Sequence, residues 1–367
     1  MRHARVKLDG RGCYHVVSRI VDRNFRLTDE EKEIFRRMMR KAEEFSGVKI
    51  LTYALMSNHF HLLVEVPERQ EVPEEELVRR MRALYGPARV ADTLRQWEEW
   101  RGLGQARLVE EEQERLRARM GDISAFMKTL KQRYSVSYNA RHKRTGTLWE
   151  DRFKSVLVEG REQAKATVAA YIDLNPVRAK VVSDPKEYRW SGYGEACGGG
   201  RAAREGLAEV HEPRRLEASA TEGQIHGHEE AGHERGQAAT EGQVRRLNWR
   251  RVSARYRVLL YVAGEEKREA YTGKVVRPGI GTAAVDRVLE RGGKLTVQQA
   301  LRCRVRYFTD GMALGGKGFV DRVFSENRGL FGPRRRDGAR RMRGAEWGEL
   351  RSMRALRVAA VTVPDTA

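Results

Sequence analysis

The chain has 367 residues, long enough for two domains, and its 71 Lys and Arg against 51 Asp and Glu give a formal charge of +20. This surplus favours a polyanionic partner, nucleic acid above all, because each neutralised phosphate releases condensed counterions. No apolar run approaches the roughly 20 residues that span a bilayer, and the N-terminus lacks the apolar core of a signal peptide. Three cysteines far apart in the sequence suit a reducing cytosol and predict neither a disulfide framework nor a zinc site.

Strand and helix patterns alternate along the first part of the chain. Residues 12–20 are rich in β-forming residues and predict a first strand. Thr28 is then predicted to cap a helix, after which 48–55 and 60–66 are predicted to be strands. The short connection between the last two strands predicts an antiparallel hairpin.

A charged, mostly helical insertion is predicted over residues 67–121. After it, Asp122 can cap a helix with an apolar stripe, and 148–158 predict a further strand. A last helix begins at about Glu162 and ends at Pro176, which cannot continue it. This order of elements is typical of an α+β fold.

Three parts of the chain differ in composition. Residues 1–196 predict one α+β unit, a sheet with helices on one face. Residues 197–243 are rich in Gly, Ala, Glu and His, so we expect a disordered linker. His226 and His228 within it have no strand and no apolar residue between them, which argues against a metal site there. Residues 244–367 regain apolar content and predict a small, basic C-terminal domain of unknown function.

The most informative motif is His59-Phe60-His61. Side chains alternate faces along a strand, so the two imidazoles point to one face and Phe60 to the other. The histidines, about 7 Å apart at Cα, can share one divalent ion, although a pair satisfied by hydrogen bonds at a sheet edge has the same pattern. A metal held by two histidines needs at least one more oxygen or nitrogen ligand.

Tyr171 and Asn175 are the candidates for nucleophile and third ligand. They lie four residues apart on one predicted helix and so share a face. A phenol that attacks a metal-bound phosphodiester keeps the bond energy in a phosphotyrosine linkage, which permits rejoining without ATP. From spacing alone, an ordinary core tyrosine explains Tyr171 equally well. Tyr134 and Tyr138 continue the apolar stripe of their own helix, so we interpret them as packing residues.

Three segments give the sequence its resemblance to a known family. They are MSNHFHLLVEV, GTLWEDRFKSVLVEG and AAYIDLNPVRAKVV, in this order within residues 1–196. Together they resemble the REP-associated tyrosine transposases, a branch of the HUH single-tyrosine transposases that act on single-stranded DNA. The resemblance implies a ferredoxin-like antiparallel core, with the histidine pair on a central strand and the nucleophilic tyrosine on a late helix.

In this sequence the family's roles fall on four residues. The resemblance implies that His59 and His61 bind the metal and that Tyr171 is the nucleophile. Asn175 stands where the family's third ligand is often glutamine, and asparagine reaches one methylene less. Mg²⁺ or Mn²⁺ suits such a mixed nitrogen and oxygen set better than zinc.

Basic residues near aromatic ones are the candidates for DNA contact, because cations pair with phosphates while rings stack on bases. Ser18 and Arg19 end the first strand, and Arg152 and Lys154 flank an aromatic residue. The C-terminal part adds an arginine cluster, Arg334, Arg335, Arg336, Arg340 and Arg341. Solvated faces are the alternative interpretation for both groups.

Together with these observations, the resemblance implies a metal-dependent DNA transposase, which cleaves single-stranded DNA beside a hairpin through a 5′-phosphotyrosine intermediate and joins the freed end to another. Two alternatives stay open: a relaxase or replication initiator of the same chemistry, and a nucleic-acid-binding module with a decayed active site. The expected partner is single-stranded or hairpin DNA, similar to the repeated palindromes of the family. We expect a monomer or homodimer that is cytoplasmic, binds no membrane and associates with a bacterial nucleoid.

Overall fold

The computed structural model describes residues 6–8, 10–211, 249–261, 267–268, 275–277, 295–354, 356 and 360–362. All residues that were predicted to carry the chemistry lie within these ranges. Most of the predicted linker, including His226 and His228, lies outside the described residues.

Helices and strands alternate through the described chain. The helices are α1 Asp29–Ser46, α2 Glu74–Tyr85, α3 Pro87–Gly102, α4 Ala106–Arg117, α5 Ile123–Arg141, α6 Glu162–Asp173, α7 Asn175–Arg178, α8 Gly192–Cys197, α9 Arg201–His211, α10 Trp249–Leu260, α11 Val297–Leu301, α12 Arg306–Asp310 and α13 Lys317–Glu326. The strands are β1 Gly12–Arg19, β2 Lys49–Leu55, β3 His59–Val66, β4 Lys154–Val158, β5 Lys267–Arg268, β6 Val275–Arg277, β7 Arg304–Val305, β8 Ala313–Gly315, β9 Arg340–Arg341, β10 Arg351–Ser352 and β11 Val361–Thr362. No helix in the described ranges is long and apolar enough to cross a bilayer.

Seven strands form one sheet in the order β2-β3-β1-β4-β8-β10-β9. Neighbouring strands are antiparallel except for β4 and β8, which are parallel. The β1–β3 pair is unbroken, from Gly12 opposite Val66 to Arg19 opposite His59. The predicted α+β class and the antiparallel core are therefore confirmed.

Helices cover both faces of the sheet, whereas the sequence predicted one covered face. On one face Phe60, Leu62 and Val64 pack with buried residues of α1 and α5. On the other face Leu63 and Val156 pack with buried residues of α6 and α9. The second layer follows from the position of α6, which brings its residues to the histidine side of β3.

The predicted insertion is helical, as expected, and consists of α2, α3 and α4 with a small core of their own. Leu77, Met81 and Trp97 are buried in this core. Phe45 near the end of α1 belongs to the same cluster, so the insertion is anchored on α1.

The C-terminal part completes the sheet, which differs from the prediction of a separate domain. Leu157 and Val158 of β4 lie opposite Ala313 and Leu314 of β8, and β10 and β9 extend the sheet further. Helix α9, which lies within the predicted linker, has an apolar face that is buried against the sheet. Pairings between residues so distant in the chain leave no local pattern, which is why the sequence did not predict them.

Phe60 should contribute strongly to the stability of the fold, because its fully buried ring lies 4.8 Å from that of Phe35 and 5.5 Å from that of Trp149. We expect Phe60→Ala to lower the free energy of unfolding by about 3–5 kcal/mol, measured by urea denaturation. Phe25, which is 75% exposed, provides the control, since Phe25→Ala should change stability by less than about 0.5 kcal/mol. Equal effects of the two substitutions would contradict the packing.

Candidate active site

The two histidines of the motif lie on the face of β3 that α6 covers. His59 stands opposite Arg19 and His61 opposite Val17 on β1, so these four side chains share one face. Phe60 points the other way and is fully buried, as strand alternation predicts. His61 is almost fully buried, whereas His59 at the end of the strand is partly exposed.

Helix α6 brings Tyr171 next to these histidines. The ring centroid of Tyr171 lies 6.4 Å from that of His61 and 6.3 Å from that of His15, edge-on in both cases. The side chain is 3% exposed, and its ring also packs on Phe308 at 4.9 Å. The predicted nucleophile and the predicted metal pair are therefore neighbours in space, although they are far apart in the sequence.

Asn175 reaches the same place from the end of α6. That helix ends at Asp173, and α7 begins at Asn175 with Pro176 in its first turn, where the missing N–H of proline costs nothing. The side-chain nitrogen of Asn175 lies 3.2 Å from Nε2 of His59. A half-turn of the amide exchanges its nitrogen and oxygen, so the amide oxygen can face an ion next to His59.

His15 on β1 belongs to the site, although the sequence motifs did not reveal it. Its Nε2 lies 2.9 Å from Nδ1 of His61, and its Nδ1 lies 2.7 Å from the backbone oxygen of Phe308. The side chain is 1% exposed. The signal in the sequence was a histidine in the middle of an otherwise apolar strand, where a buried polar group needs a partner.

Burial keeps the three histidines neutral. Desolvation lowers the pKa of His15 to about 4 and is the main cause that lowers the pKa of His59 to about 3. The pKa of His61 is lowered well below its usual value, by burial first and then by the neighbouring histidines. Neutral imidazole is the form that binds metal ions.

The donor atoms of these residues fit a divalent metal. Nδ1 of His59 lies 2.6 Å from the side-chain oxygen of Asn58, and Nδ1 of His61 faces His15. Nε2 of His61 is thus left for a ligand, while Nε2 of His59 faces the amide of Asn175, the proposed third ligand. Partners on the far nitrogen are typical of metal-binding histidines. The described residues contain no group of three His, Cys, Asp or Glu side chains placed to hold an ion. A third ligand would then be an amide oxygen, as Asn175 offers, or an oxygen of water or phosphate.

Arg178 adds a buried positive charge beside the candidate nucleophile. Its guanidinium carbon lies 3.8 Å from the centroid of the Tyr171 ring, and its Nη1 donates to the backbone oxygen of Leu301 at 3.0 Å. Burial lowers the pKa of Arg178, and the neighbouring Tyr171 and Cys303 partly offset this. A cation in this position attracts a phosphate or a negative charge that develops on the phenol oxygen.

Two of the four predicted DNA contacts beside the sheet lie at the rim of the site. Arg19 is partly buried, and burial, followed by the nearby charges of Arg23 and Arg304, lowers its pKa. Lys154 is exposed at the start of β4, with its ammonium 3.4 Å from a carboxylate oxygen of Asp310. These side chains make the rim positively charged, which favours a phosphate backbone.

The other two predicted contacts are placed differently. Arg152 is exposed in the loop before β4. Ser18 stands opposite Phe60, on the face of the sheet away from the histidines, and is 3% exposed. This differs from the predicted DNA contact, because alternation along β1 turns Ser18 toward the core.

The predicted arginine cluster lies around a cavity of about 650 Å³ beside α12. Arg334, Arg340 and Arg341 line this cavity together with Arg343 from the same arginine-rich stretch. Arg336 is exposed. Several guanidinium groups around one opening make its wall positively charged.

Arg335 also borders this cavity, but its guanidinium is engaged in holding the chain together. It donates to the backbone oxygens of Asp337 at 3.0 Å, Gly338 at 2.9 Å and Met353. It also lies 4.6 Å from the centroid of the Phe331 ring, and burial lowers its pKa. The structure therefore gives Arg335 a packing role in place of the predicted contact with DNA.

In the metal-free protein, His15 should make the free energy of unfolding fall as the pH falls. A group whose pKa is lower in the folded chain than in the unfolded chain stabilises the fold at a pH above its pKa in the unfolded chain, which is 6.5 for histidine. This contribution is lost as the pH falls toward the pKa in the folded chain, about 4 for His15. Between about pH 7.5 and about pH 5, the free energy of unfolding should fall by about 2 kcal/mol more in the native protein than in His15→Gln. Urea unfolding in EDTA measures this difference, and parallel pH profiles would contradict a buried, neutral His15.

The site residues fall partly within a recognised family match. Residues 11–85 match the family described as IS200-like transposase. This segment holds His15, His59 and His61, whereas Tyr171 and Asn175 lie beyond it.

Among solved structures, the chain is similar to one described as "Structure of the REP associates tyrosine transposase bound to a REP hairpin", with 13% identity and a TM-score of 0.35. The similarity covers 53% of this chain and 84% of that chain, and so distant a likeness assigns no residue a role. No curated protein matches the sequence. The family match covers the strand with the histidine motif and agrees with the kind of protein that the motifs predicted: residues 11–85 are similar to the IS200-like transposases.

Proposed function

We propose that the protein cleaves single-stranded DNA beside a hairpin and joins the freed end to another, with Tyr171 as the nucleophile and a divalent metal in the site. One observation carries this proposal. The phenol of Tyr171, the neutral imidazoles of His59 and His61 and the amide of Asn175 meet beside the buried cation of Arg178. The family match supports the transposase function, and the proposal adds the hairpin substrate, the phosphotyrosine and the metal.

Tyr171 would exchange one phosphate ester for another. Its hydroxyl loses a proton, and its oxygen bonds to the scissile phosphorus while the bond to the 3′ oxygen breaks. The departing 3′ oxygen takes up a proton, and the 5′ phosphate stays on the tyrosine. The 3′ hydroxyl of another end then loses its proton and attacks this phosphorus, while the bond to Tyr171 breaks and the phenol oxygen takes up a proton. Because each bond that breaks is replaced by one of the same kind, the exchange needs no ATP.

The residues around Tyr171 would stabilise the charge of the phosphate. Mg²⁺ or Mn²⁺ held by His59, His61 and Asn175 would polarise the scissile phosphate and offset the charge that develops on it. Arg178, 3.8 Å from the ring of Tyr171, orients the phenol and provides a fixed positive charge that needs no solvent rearrangement. These groups are neutral or cationic, which suits an anionic substrate.

Two basic surfaces would bind the rest of the DNA, and α12 touches both. Asp310 of α12 pairs with Lys154 at the rim of the site, while Tyr307 of the same helix lines the arginine cavity. A hairpin with a single-stranded extension needs one surface for the folded part and another for the strand to be cut. The basic rim and the arginine cavity lie at separate positions, which supports a hairpin with a single-stranded extension as the substrate.

A nucleic-acid-binding module without cleavage is the second candidate. It is favoured by the burial of Tyr171, which is 3% exposed and packed on Phe308. For cleavage, a phosphate has to reach the phenol oxygen, so the packing around this ring has to open when DNA binds. The two functions differ in one measurable product, a covalent bond between the protein and DNA.

Replacing the proposed nucleophile tests the function directly. In the presence of Mn²⁺, we expect Tyr171→Phe to form no covalent adduct with single-stranded hairpin DNA, while its affinity for the hairpin changes less than about twofold. The hairpins are taken from repeats that flank the gene of this protein. The substitution removes only the hydroxyl, which reacts but need not hold DNA. Denaturing gels score the adduct, and filter binding scores the affinity.

Tyr134→Phe is the matched control, because Tyr134 is fully buried and its hydroxyl donates to a carboxylate oxygen of Glu31 at 2.7 Å, away from the histidines. This variant should still form the adduct. An inactive Tyr134→Phe beside an active Tyr171→Phe would show that the nucleophile is misassigned. Hairpin binding by the native protein without any adduct would favour the binding module.

The arginine cavity should contribute to affinity through phosphate contacts. We expect the double variant Arg341→Ala, Arg343→Ala to flatten the slope of log affinity against log salt by about 0.7 for each lost phosphate contact on single-stranded DNA. Arg335→Ala should instead lower stability and leave the slope near that of the native protein, because Arg335 bonds to backbone oxygens. An unchanged slope in the double variant would show that these arginines are only a solvated face.

A further inference from the structure

A chain of hydrogen bonds runs from the backbone of α12 through His15 to His61. The Phe308 oxygen lies 2.7 Å from Nδ1 of His15, and Nε2 of His15 lies 2.9 Å from Nδ1 of His61. The two imidazoles are tilted by only 22°, with ring centroids 5.1 Å apart. Such nearly coplanar, edge-to-edge rings match the geometry of an N–H···N bond in the ring plane. The rings are 1% and 4% exposed, so water competes little for these atoms.

When both rings are neutral, the hydrogen bonds in this chain can have only one donor-to-acceptor direction. A backbone oxygen accepts and cannot donate, so Nδ1 of His15 carries the proton. Nε2 of neutral His15 is then an acceptor, and Nδ1 of His61 has to donate to it. Nε2 of His61 is consequently left with its lone pair. That is the atom and the state that a metal ligand needs.

The Phe308 oxygen is available because α12 is short. A helix leaves its last four carbonyl groups without partners of its own, and α12 has only five residues, Arg306–Asp310. His15 satisfies one of these carbonyls. The ring of Phe308 packs on Tyr171 at 4.9 Å and on Trp347 at 5.5 Å, which holds this part of α12 against the site.

We propose that His15 is a positioning residue that fixes His61 in the tautomer with a free Nε2, and that the Phe308 carbonyl sets this tautomer from the C-terminal part of the chain. The consequence for metal binding rests on the proposed function, whereas the tautomer does not. Without His15, the buried Nδ1 of His61 loses its acceptor, and its ring is free to turn or to take the other tautomer. Loss of such outer partners typically weakens metal binding by about 10–100-fold.

Two substitutions separate the hydrogen bonds of His15 from its packing. His15→Gln keeps one donor and one acceptor on a side-chain amide, whereas His15→Phe fills the space with a ring that makes neither bond. In the full-length, metal-free proteins, NMR nitrogen shifts of labelled histidines report which nitrogen of His61 carries the proton. Calorimetric titration with Mn²⁺ then measures affinity, and His61→Ala serves as the control that lacks the ligand itself.

The native protein and His15→Gln should both have the proton of His61 on Nδ1 and should bind Mn²⁺ within about threefold of each other. His15→Phe should lose this fixed tautomer and bind Mn²⁺ at least about tenfold more weakly. If His15→Phe does not fold, His15→Met, which also lacks a strong donor or acceptor, carries the same expectation.

An unchanged His61 tautomer in His15→Phe would overturn the inference. The inference would also be overturned if His15→Gln bound Mn²⁺ as weakly as His15→Phe. Metal binding would then need the imidazole itself and not only its two hydrogen bonds. If the native protein binds no Mn²⁺, the proposed metal use fails, while a tautomer that changes in His15→Phe still supports the positioning role. The two proposals can therefore fail separately.

Discussion

The antiparallel pairing of β1 with β3 is the constraint on which the site depends. Its unbroken register turns Phe60 to one face of the sheet and both His15 and His61 to the other. A slip of one residue would exchange these faces and bury imidazoles where Phe60 now packs between Phe35 and Trp149. Hydrophobic packing on one side of the sheet thus fixes the position of the polar residues on the other. The residues that fix the geometry of the site therefore pack on the opposite face of the sheet, away from any substrate.

The site contains neutral and positive groups, and this determines what it can bind. Burial keeps the histidines neutral, while Arg178 lies on the ring of Tyr171. Asp173, on the same helix as Tyr171, is turned away and accepts hydrogen bonds from Thr52 and Tyr256. Burial raises the pKa of Asp173 to about 6. A phosphodiester would therefore supply the anion that the site itself lacks, which agrees with the basic rim and cavity.

Local patterns predicted the parts of the site that lie within single elements. Alternation in β3 predicted the shared face of His59 and His61. Helical spacing predicted Tyr171 and Asn175 on one helix, whereas the structure divides this stretch into α6, which ends at Asp173, and α7, which begins at Asn175. The contact of His15 with Phe308 joins residues at opposite ends of the chain, and no pattern along β1 or α12 signals a bond between them. The parallel pairing of β4 with β8 also joins residues that are distant in the sequence. No local pattern signals it, which is why a separate C-terminal domain was predicted. Arg178 was missed because a buried charge next to an aromatic ring is evident only after packing.

The most direct test of this account is to locate the bond between protein and DNA. After incubation of the native protein with a hairpin oligonucleotide and Mn²⁺, nuclease and protease digestion followed by mass spectrometry identifies the modified peptide. The account predicts a nucleotide 5′ phosphate on Tyr171, present with Mn²⁺ and absent with EDTA or in His61→Ala. An adduct on Tyr134 or Tyr138, or one that forms equally well in EDTA, would contradict it.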